Sequence, residues 1–357
     1  MKLSGPTSLE DAIAPFARKG ARLGALLVAS NVVAWLWAFV AFRDSPLLIG
    51  TAALAYSFGL RHALDADHIA AIDNVTRKLM QQGERPIAVG LYFSLGHSTI
   101  VVVLSIAIAI STAALQTRFE TLKAIGALLG TFASSLFLFA IAFVNILALI
   151  SIYRTFSAVK KGEHFIEEDL NLALSNRGVL GRLYRSCFRV IEHSWQMYPL
   201  GLLFGFGFDT ATEVGLLIIS ATQASQGLPM WSLLVFPALF TAGMTLVDTV
   251  DGILMVGAYG WAFIKPIRKL YYNLVMTAMS VLVAVAVGGL EVLNLIGDRL
   301  GLTDSGGFWG MIGAVNDNPT VFGGLIVGLF LTTWAVSYGI YRFNQYDSVE
   351  ALVKAQH

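Results

Sequence analysis

Eight apolar segments of 20 to 30 residues run through this chain and constrain its fold more than any other feature. A helix needs about 20 apolar residues to cross roughly 30 Å of hydrocarbon at about 1.5 Å per residue, so each segment is long enough to span a bilayer. The segments are 23–42, 47–72, 87–113, 124–153, 199–222, 231–258, 274–295 and 321–341. The sequence therefore predicts an all-α polytopic membrane protein with eight transmembrane helices, surrounded by the lipid bilayer.

The composition agrees with a membrane protein. Hydrophobic residues make up 56% of the chain and charged residues 13%, whereas soluble domains average about 45–50% and 25%. A net charge of +1 argues against nucleic acid as a partner. The first apolar segment follows more than 20 mixed residues and is long enough to span, so we expect a helix of the mature protein there and no cleaved signal peptide.

Lysine and arginine predict the orientation, because they accumulate on the cytoplasmic side of membrane proteins. If the N-terminus is inside, the inner segments carry 19 of these residues and the outer segments carry 4, with Arg61 inside the second span. The sequence therefore predicts that both termini are cytoplasmic. Residues 154–196, the one long polar connection, are predicted to form a cytoplasmic loop between spans four and five.

Ionisable residues cluster inside four of the predicted spans, where they are costly and usually mark a site or a pathway. The clusters are His62, Asp65, Asp67 and His68 with Arg61 in span two, His97 in span three, Asp209 and Glu213 in span five, and Asp248 and Asp251 in span six. Counting residues inward from the ends of the spans places all four clusters between the bilayer midplane and its cytoplasmic half. One shared site is the simplest interpretation.

The charge and the ligand types in these clusters indicate a transition-metal dication. The four clusters contain six carboxylates and one arginine, which gives a net charge of −5 when the histidines are neutral. Unpaired buried charge is very unfavourable. Imidazole mixed with carboxylate suits a borderline transition ion, whereas Mg²⁺ and Ca²⁺ prefer shells of oxygen alone. Cys187 is the only cysteine, so a thiolate-rich site is excluded. Ligand chemistry does not separate Ni from Co, Zn or Fe.

Each cluster taken singly has a simpler interpretation. His97 by itself would more often be a hydrogen-bonded core histidine. Asp209 and Glu213 lie four residues apart, so they share a helix face and would serve a proton relay as well as a metal. Asp248 and Asp251 carry the same ambiguity. The coincidence of four such clusters in one membrane protein is what favours the metal site.

The second span has an unusual arrangement of its polar residues. On a regular helix, at about 100° per residue, His62 and Asp67 point about 140° apart and His68 lies a further 100° round. No single stripe on the helix holds all three side chains. Either the helix is surrounded by protein on every side, or it is broken at this motif.

Four motifs in order resemble the signatures of the nickel/cobalt transporter (NiCoT) family, which includes high-affinity nickel permeases. They are RHALDADHI at 61–69, FSLGHST at 93–99, FGFGFDTATE at 204–213 and GMTLVDTVD at 243–251. Members of that family are eight-helix permeases with cytoplasmic termini. The resemblance implies that the second-span motif H-x₄-D-H, here His62, Asp67 and His68, is essential. It further implies functional roles for the ionisable residues of the other three motifs and a selectivity role for Asn31.

We therefore predict that residues 1–357 form a single integral membrane transport domain. It would be a secondary transporter, not an enzyme, that imports Ni²⁺ and also Co²⁺ as substrates across the bacterial cytoplasmic (inner) membrane. No Walker A motif is present, so the chain is not expected to bind ATP in that way. The sequence implies no ATPase subunit as a partner, and no cofactor is expected. Two alternatives stay open: an intramembrane metalloenzyme, although no H-E-x-x-H motif occurs, and a metal sensor or an auxiliary subunit of a pump.

Overall fold

The computed structural model describes residues 9–110, 119–160, 191–207, 211–262, 266–302 and 306–343. Every regular element among them is helical, and these residues contain no β-strand. The predicted all-α class is confirmed. In chain order the helices are α1 (Leu9–Ala41), α2 (Pro46–His62), α3 (Ala66–Gln81), α4 (Val89–Ile110), α5 (Phe119–Lys160), α6 (Met197–Phe204), α7 (Ala211–Ser225), α8 (Met230–Leu233), α9 (Val235–Ala262), α10 (Pro266–Leu300), α11 (Gly307–Asn316) and α12 (Pro319–Phe343), with a 3₁₀ turn at Ser194–Gln196.

Six of the described helices are long and apolar enough to cross a membrane, and the bent pair α2 and α3 makes a seventh candidate span. The chain is thus a multi-pass membrane protein. The predicted span 199–222 comprises two helices, α6 and α7, on either side of residues 208–210, which lie outside the described residues. The count of eight spans therefore stays a prediction.

The predicted topology also remains a prediction. Helix α5 continues to Lys160, seven residues beyond the predicted end of the fourth span at Tyr153. Residues 161–190 of the predicted loop lie outside the described residues, as do residues 1–8 and 344–357 at the termini.

The chain divides into two compact units. The first comprises Met1–Ala63, Gln81–Ala127 and Ser194–Leu254, and the second comprises Leu64–Met80, Leu128–His193 and Met255–His357. The first unit has a buried core in which Phe42 stacks on Phe236 with ring centroids 5.3 Å apart. The second has its own core, which includes Tyr259, Met276 and Val283. The prediction of one domain for the whole chain is not tested by this division.

The second predicted span is broken at its polar motif, which is one of the two alternatives that the sequence left open. Helix α2 ends at His62, and the next helix begins at Ala66. The backbone carbonyl of Asp65 accepts a hydrogen bond from the amide of Ile69, 3.2 Å away. Aspartate suits this start of a helix, since a negative charge is favourable at a helix N-terminus. His62 therefore ends one helix, while Asp67 and His68 begin another.

Close contact between α4 and α6 holds His97 in place in the first unit. A Cβ atom at Gly96 would fall on the carbonyl oxygen of Tyr198, and one at Gly201 would fall on the carbonyl oxygen of Phe93. The two backbones approach this closely only because both positions are glycine. His97 follows Gly96 directly, so this contact fixes its backbone.

Candidate metal centre

Two histidines and one glutamate meet in the first unit. The Nε2 atoms of His62 and His97 are 2.9 Å apart. The Oε1 atom of Glu213 lies 2.8 Å from Nε2 of His97 and 3.8 Å from Nε2 of His62. Two nitrogen atoms and one oxygen atom therefore lie within 3.8 Å of one another, and we call the three residues the His62–His97–Glu213 triad.

Each member of the triad comes from a different helix. His62 is the last residue of α2, His97 lies near the middle of α4, and Glu213 is in the first turn of α7. The exposed fractions are 2%, 2% and 0%, respectively, so bulk water is excluded from the three side chains. In such a place charges interact more strongly than in water, because the effective dielectric constant is low.

Aromatic rings surround the two imidazoles. The ring of Phe240, on α9, lies 5.6 Å from that of His62, and the ring of Phe93, on α4, lies 6.3 Å from that of His97. Both phenylalanines are fully buried. The triad is thus a polar centre within apolar walls, as in many ligand sites.

The buried carboxylate of Glu213 needs a positive charge or a proton beside it. A buried carboxylate is costly unless a cation or a proton accompanies it. Glu213 pairs with two imidazoles, which are positive only when protonated. In addition, two ring nitrogens 2.9 Å apart repel each other unless one of them carries a hydrogen. A neutral imidazole can supply that hydrogen from its own N–H, and a dication would neutralise the Glu213 carboxylate.

The spacing of the three donor atoms fits one metal ion. A point about 1.9 Å from all three exists, because that is the radius of the circle through atoms 2.8, 2.9 and 3.8 Å apart, and metal–nitrogen bonds are about 2.0–2.1 Å. Two short separations and a long one correspond to two near-right angles and one wide angle at the ion. Square-planar and octahedral shells contain such angles, whereas a tetrahedral shell would give three equal separations of about 3.4 Å.

A fourth side chain touches the triad from outside. Thr212, next to Glu213 in the first turn of α7, places its Oγ1 atom 3.2 Å from Nδ1 of His62. Thr212 is 3% exposed. Thr212 was not among the predicted site residues, although a hydroxyl beside Glu213 in a predicted span could have indicated it.

Asp248 is buried on α9, and its carboxylate contacts a residue that the sequence did not single out. Its Oδ2 atom lies 2.7 Å from Oγ of Ser94, which is three residues before His97 on α4. A Cβ atom at Gly90 would fall on the carbonyl oxygen of Asp248, so α4 and α9 are in backbone contact here. Asp251, one turn further along α9, is half-buried.

Asn31 links three helices of the first unit. Its Oδ1 atom accepts a hydrogen bond of 2.9 Å from the hydroxyl of Tyr56 on α2. Its Nδ2 atom donates to the carbonyl oxygens of Leu27, in its own helix at 2.8 Å, and of Ala242, on α9 at 3.3 Å. These bonds fix the orientation of the Asn31 amide.

The remaining predicted site residues lie in the second unit or outside the description. Asp65 is buried and accepts a hydrogen bond of 3.1 Å from Thr320 on α12. His68 is fully buried and Asp67 is half-buried, both in the first turn of α3. Asp209 lies among residues 208–210, outside the described residues.

The second unit holds a buried hydrogen-bond network with two charged residues, Asp73 and Arg77, which were not among the predicted site residues. Asp73 accepts hydrogen bonds from the hydroxyl of Tyr259 and, at 2.7 Å, from that of Ser280. Arg77, four residues later on α3, donates from Nε to the same Ser280 hydroxyl at 3.1 Å. All four side chains are buried. The Ser280 hydroxyl therefore bridges the two, because it accepts a hydrogen bond from Arg77 and donates one to Asp73.

The rest of the Arg77 guanidinium is also satisfied. Its Nη1 atom donates to Thr277 at 3.0 Å and its Nη2 atom to Oδ1 of Asn74 at 3.4 Å. The same Asn74 oxygen accepts a bond of 2.7 Å from Asn145 on α5. The predicted second span ends at Ile72, so Asp73, Asn74 and Arg77 lay outside it. The i, i+4 spacing of Asp73 and Arg77 was the available signal.

Comparison with known proteins places the chain among metal transporters. The sequence model of a protein family, described as high-affinity nickel-transport protein, matches residues 48–340 of this chain. A high-affinity nickel transport protein of Cupriavidus necator is 56% identical, covering 92% of this chain and 93% of the relative. The hydrogenase nickel incorporation protein HupN of Bradyrhizobium diazoefficiens is 50% identical, covering 88% and 82%. The cobalt transport protein NhlF of Rhodococcus rhodochrous is 38% identical, covering 83% of each chain. No solved structure matches this chain.

Proposed function

This chain belongs to the high-affinity nickel-transport protein family, and on that premise we propose that it is a secondary transporter that carries Ni²⁺ into the cell across the cytoplasmic membrane. Co²⁺ is the second substrate in this proposal, since a relative of 38% identity is a cobalt transport protein. Residues 1–357 would act as one transport domain.

The observation that carries the proposal is the His62–His97–Glu213 triad. It offers two imidazole nitrogens and a carboxylate oxygen, all buried and within 3.8 Å of one another. Mixed nitrogen and oxygen ligands with near-right angles suit Ni²⁺, whose preferred shells are square-planar or octahedral, better than they suit tetrahedral Zn²⁺.

The roles of the individual site residues are also proposals. We assign the triad as ligands of the transported ion. We assign a role in metal transport to each of the other predicted residues: Asn31, Asp65, Asp67, His68, Asp209, Asp248 and Asp251. Their surplus of carboxylates gives an inward-moving dication a favourable environment through the apolar interior.

The membrane potential supplies a driving force. A cation entering a negative interior gains about 2.3 kcal/mol per charge per 100 mV, so a dication gains about twice that. A proton that neutralises Glu213 when no metal is bound leaves as the metal binds. Neutral imidazole and ionised carboxylate are the metal-binding forms, so metal and proton exclude each other there.

Reconstitution tests this function. The purified chain alone would be placed in liposomes, an inside-negative potential imposed, and ⁶³Ni accumulation measured with Co²⁺, Zn²⁺ and Mn²⁺ as competitors. We expect accumulation that Co²⁺ suppresses most strongly and that His97→Ala abolishes. His193→Ala is the matched control, because His193 is exposed and outside the triad.

Two outcomes would contradict the proposal. Liposomes that accumulate no more ⁶³Ni than protein-free liposomes would favour a sensor or an auxiliary subunit. Accumulation that is equally strong in wild type and His97→Ala would leave transport standing but remove the triad from it.

A further inference from the structure

The hydroxyl of Thr212 lies against the ring nitrogen of His62 that faces away from the triad. The distance from Oγ1 to Nδ1 is 3.2 Å, and both side chains are buried. On the other side of the same ring, Nε2 lies 2.9 Å from Nε2 of His97 and 3.8 Å from Oε1 of Glu213. The two nitrogens of His62 therefore have distinct surroundings.

This difference decides which nitrogen of His62 can bind a metal. A neutral imidazole carries one hydrogen, on one nitrogen, and binds a metal through the other. Because Nε2 is the atom that faces His97 and Glu213, Nε2 is the donor, and the hydrogen must sit on Nδ1. The buried N–H at Nδ1 then needs an acceptor, and Oγ1 of Thr212 is at hydrogen-bonding distance.

We propose that Thr212 is a positioning residue for the substrate ion: it accepts a hydrogen bond from Nδ1–H of His62 and so keeps Nε2 unprotonated and directed at the metal. This inference rests on the proposed function, since the metal is the transported substrate. Partners of this kind fix the tautomer and the ring orientation of metal-bound histidines, and their loss typically weakens metal binding by about 10–100-fold.

The position of Thr212 in the chain adds a second effect. Thr212 and Glu213 are consecutive in the first turn of α7, so their side chains leave the helix about 100° apart. One reaches Nδ1 of His62 and the other approaches Nε2. A single helical turn thus supplies a ligand and also orients a ligand on α2, which ties the geometry of the triad to the start of α7.

Two substitutions at residue 212, one that removes the hydroxyl and one that keeps it, test this role. Thr212→Val keeps the shape and removes the acceptor, while Thr212→Ser keeps the acceptor. Thr222→Val is the matched control, since Thr222 is exposed on the same helix. Initial rates of ⁶³Ni uptake would be measured against Ni²⁺ concentration and divided by the amount of inserted protein. We expect Thr212→Val to raise KM by about 10–100-fold, and Thr212→Ser and Thr222→Val to stay near wild type.

A merely structural threonine would behave differently. In that case Thr212→Val would lower the amount of inserted protein or the maximal rate and leave KM unchanged, and that result would overturn the proposal. So would an equal rise in KM for Thr212→Ser and Thr212→Val, because then the hydroxyl is not what matters.

A measurement on the unmodified protein keeps the proposal testable if Thr212→Val does not insert. Nitrogen-15 NMR of histidine-labelled wild type in detergent, with Zn²⁺ alone as a diamagnetic probe, reports which nitrogen of His62 carries the hydrogen. We expect the hydrogen on Nδ1 and the metal on Nε2, and the reverse assignment would overturn the inference. A wild type that binds Zn²⁺ in this way but does not transport ⁶³Ni would refute the proposed function and leave the role of Thr212 in metal binding intact.

Discussion

At the scale of single residues, the most important group of the proposed site is the carboxylate of Glu213. Its carboxylate is fully buried and pairs with two imidazoles that are neutral unless protonated. Asp73, in the second unit, is equally buried but has the permanent charge of Arg77 in its own hydrogen-bond network. Asp73 thus has a permanent positive charge nearby, whereas for Glu213 we propose that the transported dication supplies it.

Removal of the charge at residue 213 tests this difference. Glu213→Gln keeps the size of the side chain, but its amide oxygen is a weaker ligand and brings no negative charge. A loss of about 3 kcal/mol for one partner of a buried pair corresponds to about 100-fold, so we expect the ratio of maximal uptake rate to KM for Ni²⁺ to fall by about that factor. Uptake normalised to inserted protein would measure it.

Glu192→Gln is the control for this substitution, because Glu192 is exposed and outside the triad. It should leave uptake unchanged. Unchanged nickel uptake by Glu213→Gln would show that the carboxylate is not a ligand.

The triad also predicts a pH dependence. Protonated imidazole has no lone pair for a metal, and histidine has an unperturbed pKa of about 6.5. As the pH on the side that supplies nickel falls from about 7.5 to 5.5, protons displace metal, and KM for Ni²⁺ should rise. Uptake in liposomes at a clamped membrane potential separates this effect from the driving force. A flat KM over that range would contradict proton competition at the triad.

At the scale of secondary-structure elements, the break between α2 and α3 divides the polar motif between two helices. Because α2 ends at His62, the polar motif H-x₄-D-H lies on two helices, and each is fixed in its own unit. In the first unit Thr212, His97 and Glu213 hold His62. In the second unit, the buried network of Asp73 and Arg77 ties α3 to α9 and α10 through Tyr259, Ser280 and Thr277.

That network can be tested by a double-mutant cycle. Asp73→Asn or Arg77→Gln leaves one charge buried without its counterpart, and breaking a buried pair in this way costs about 3–5 kcal/mol. The double substitution leaves no charge and keeps polar groups that can hydrogen-bond. We therefore expect each single variant to lower thermal stability in detergent, measured by light scattering on heating, and the double variant to recover most of it.

A double variant as unstable as the sum of the two single variants would contradict pairing between Asp73 and Arg77. Arg85→Gln is a suitable control for the loss of an arginine, since Arg85 is exposed just beyond α3.

The distribution of positive charge acts at the scale of the whole molecule. The 19 to 4 division of lysine and arginine predicts that residues 154–196 are cytoplasmic. Alkaline phosphatase, which is active only outside the cytoplasm, should be inactive when inserted in this segment. It should be active when inserted at 114–123, the predicted outer connection between spans three and four. The opposite pattern would invert the topology.

The sequence alone determined the membrane class, the helical fold and the candidate ligands. Apolar segments of 20 to 30 residues admit little else, and ionisable residues such as His62, His97 and Glu213 stand out within them. These inferences are local, since each depends on a residue and its neighbours in the chain. The presence of metal chemistry was therefore predictable before any contact was known.

Only the tertiary structure decided which of these residues meet. The sequence offered six carboxylates, and packing between α4 and α7 selected Glu213 for contact with His97. The partners of Thr212 and Arg77 were likewise not predictable, because a hydrogen bond between residues 150 or 200 positions apart leaves no local pattern. The physical reason is that the contacts between helices depend on close approach at positions such as Gly96 and Gly201, and that approach exists only when the helices are packed together.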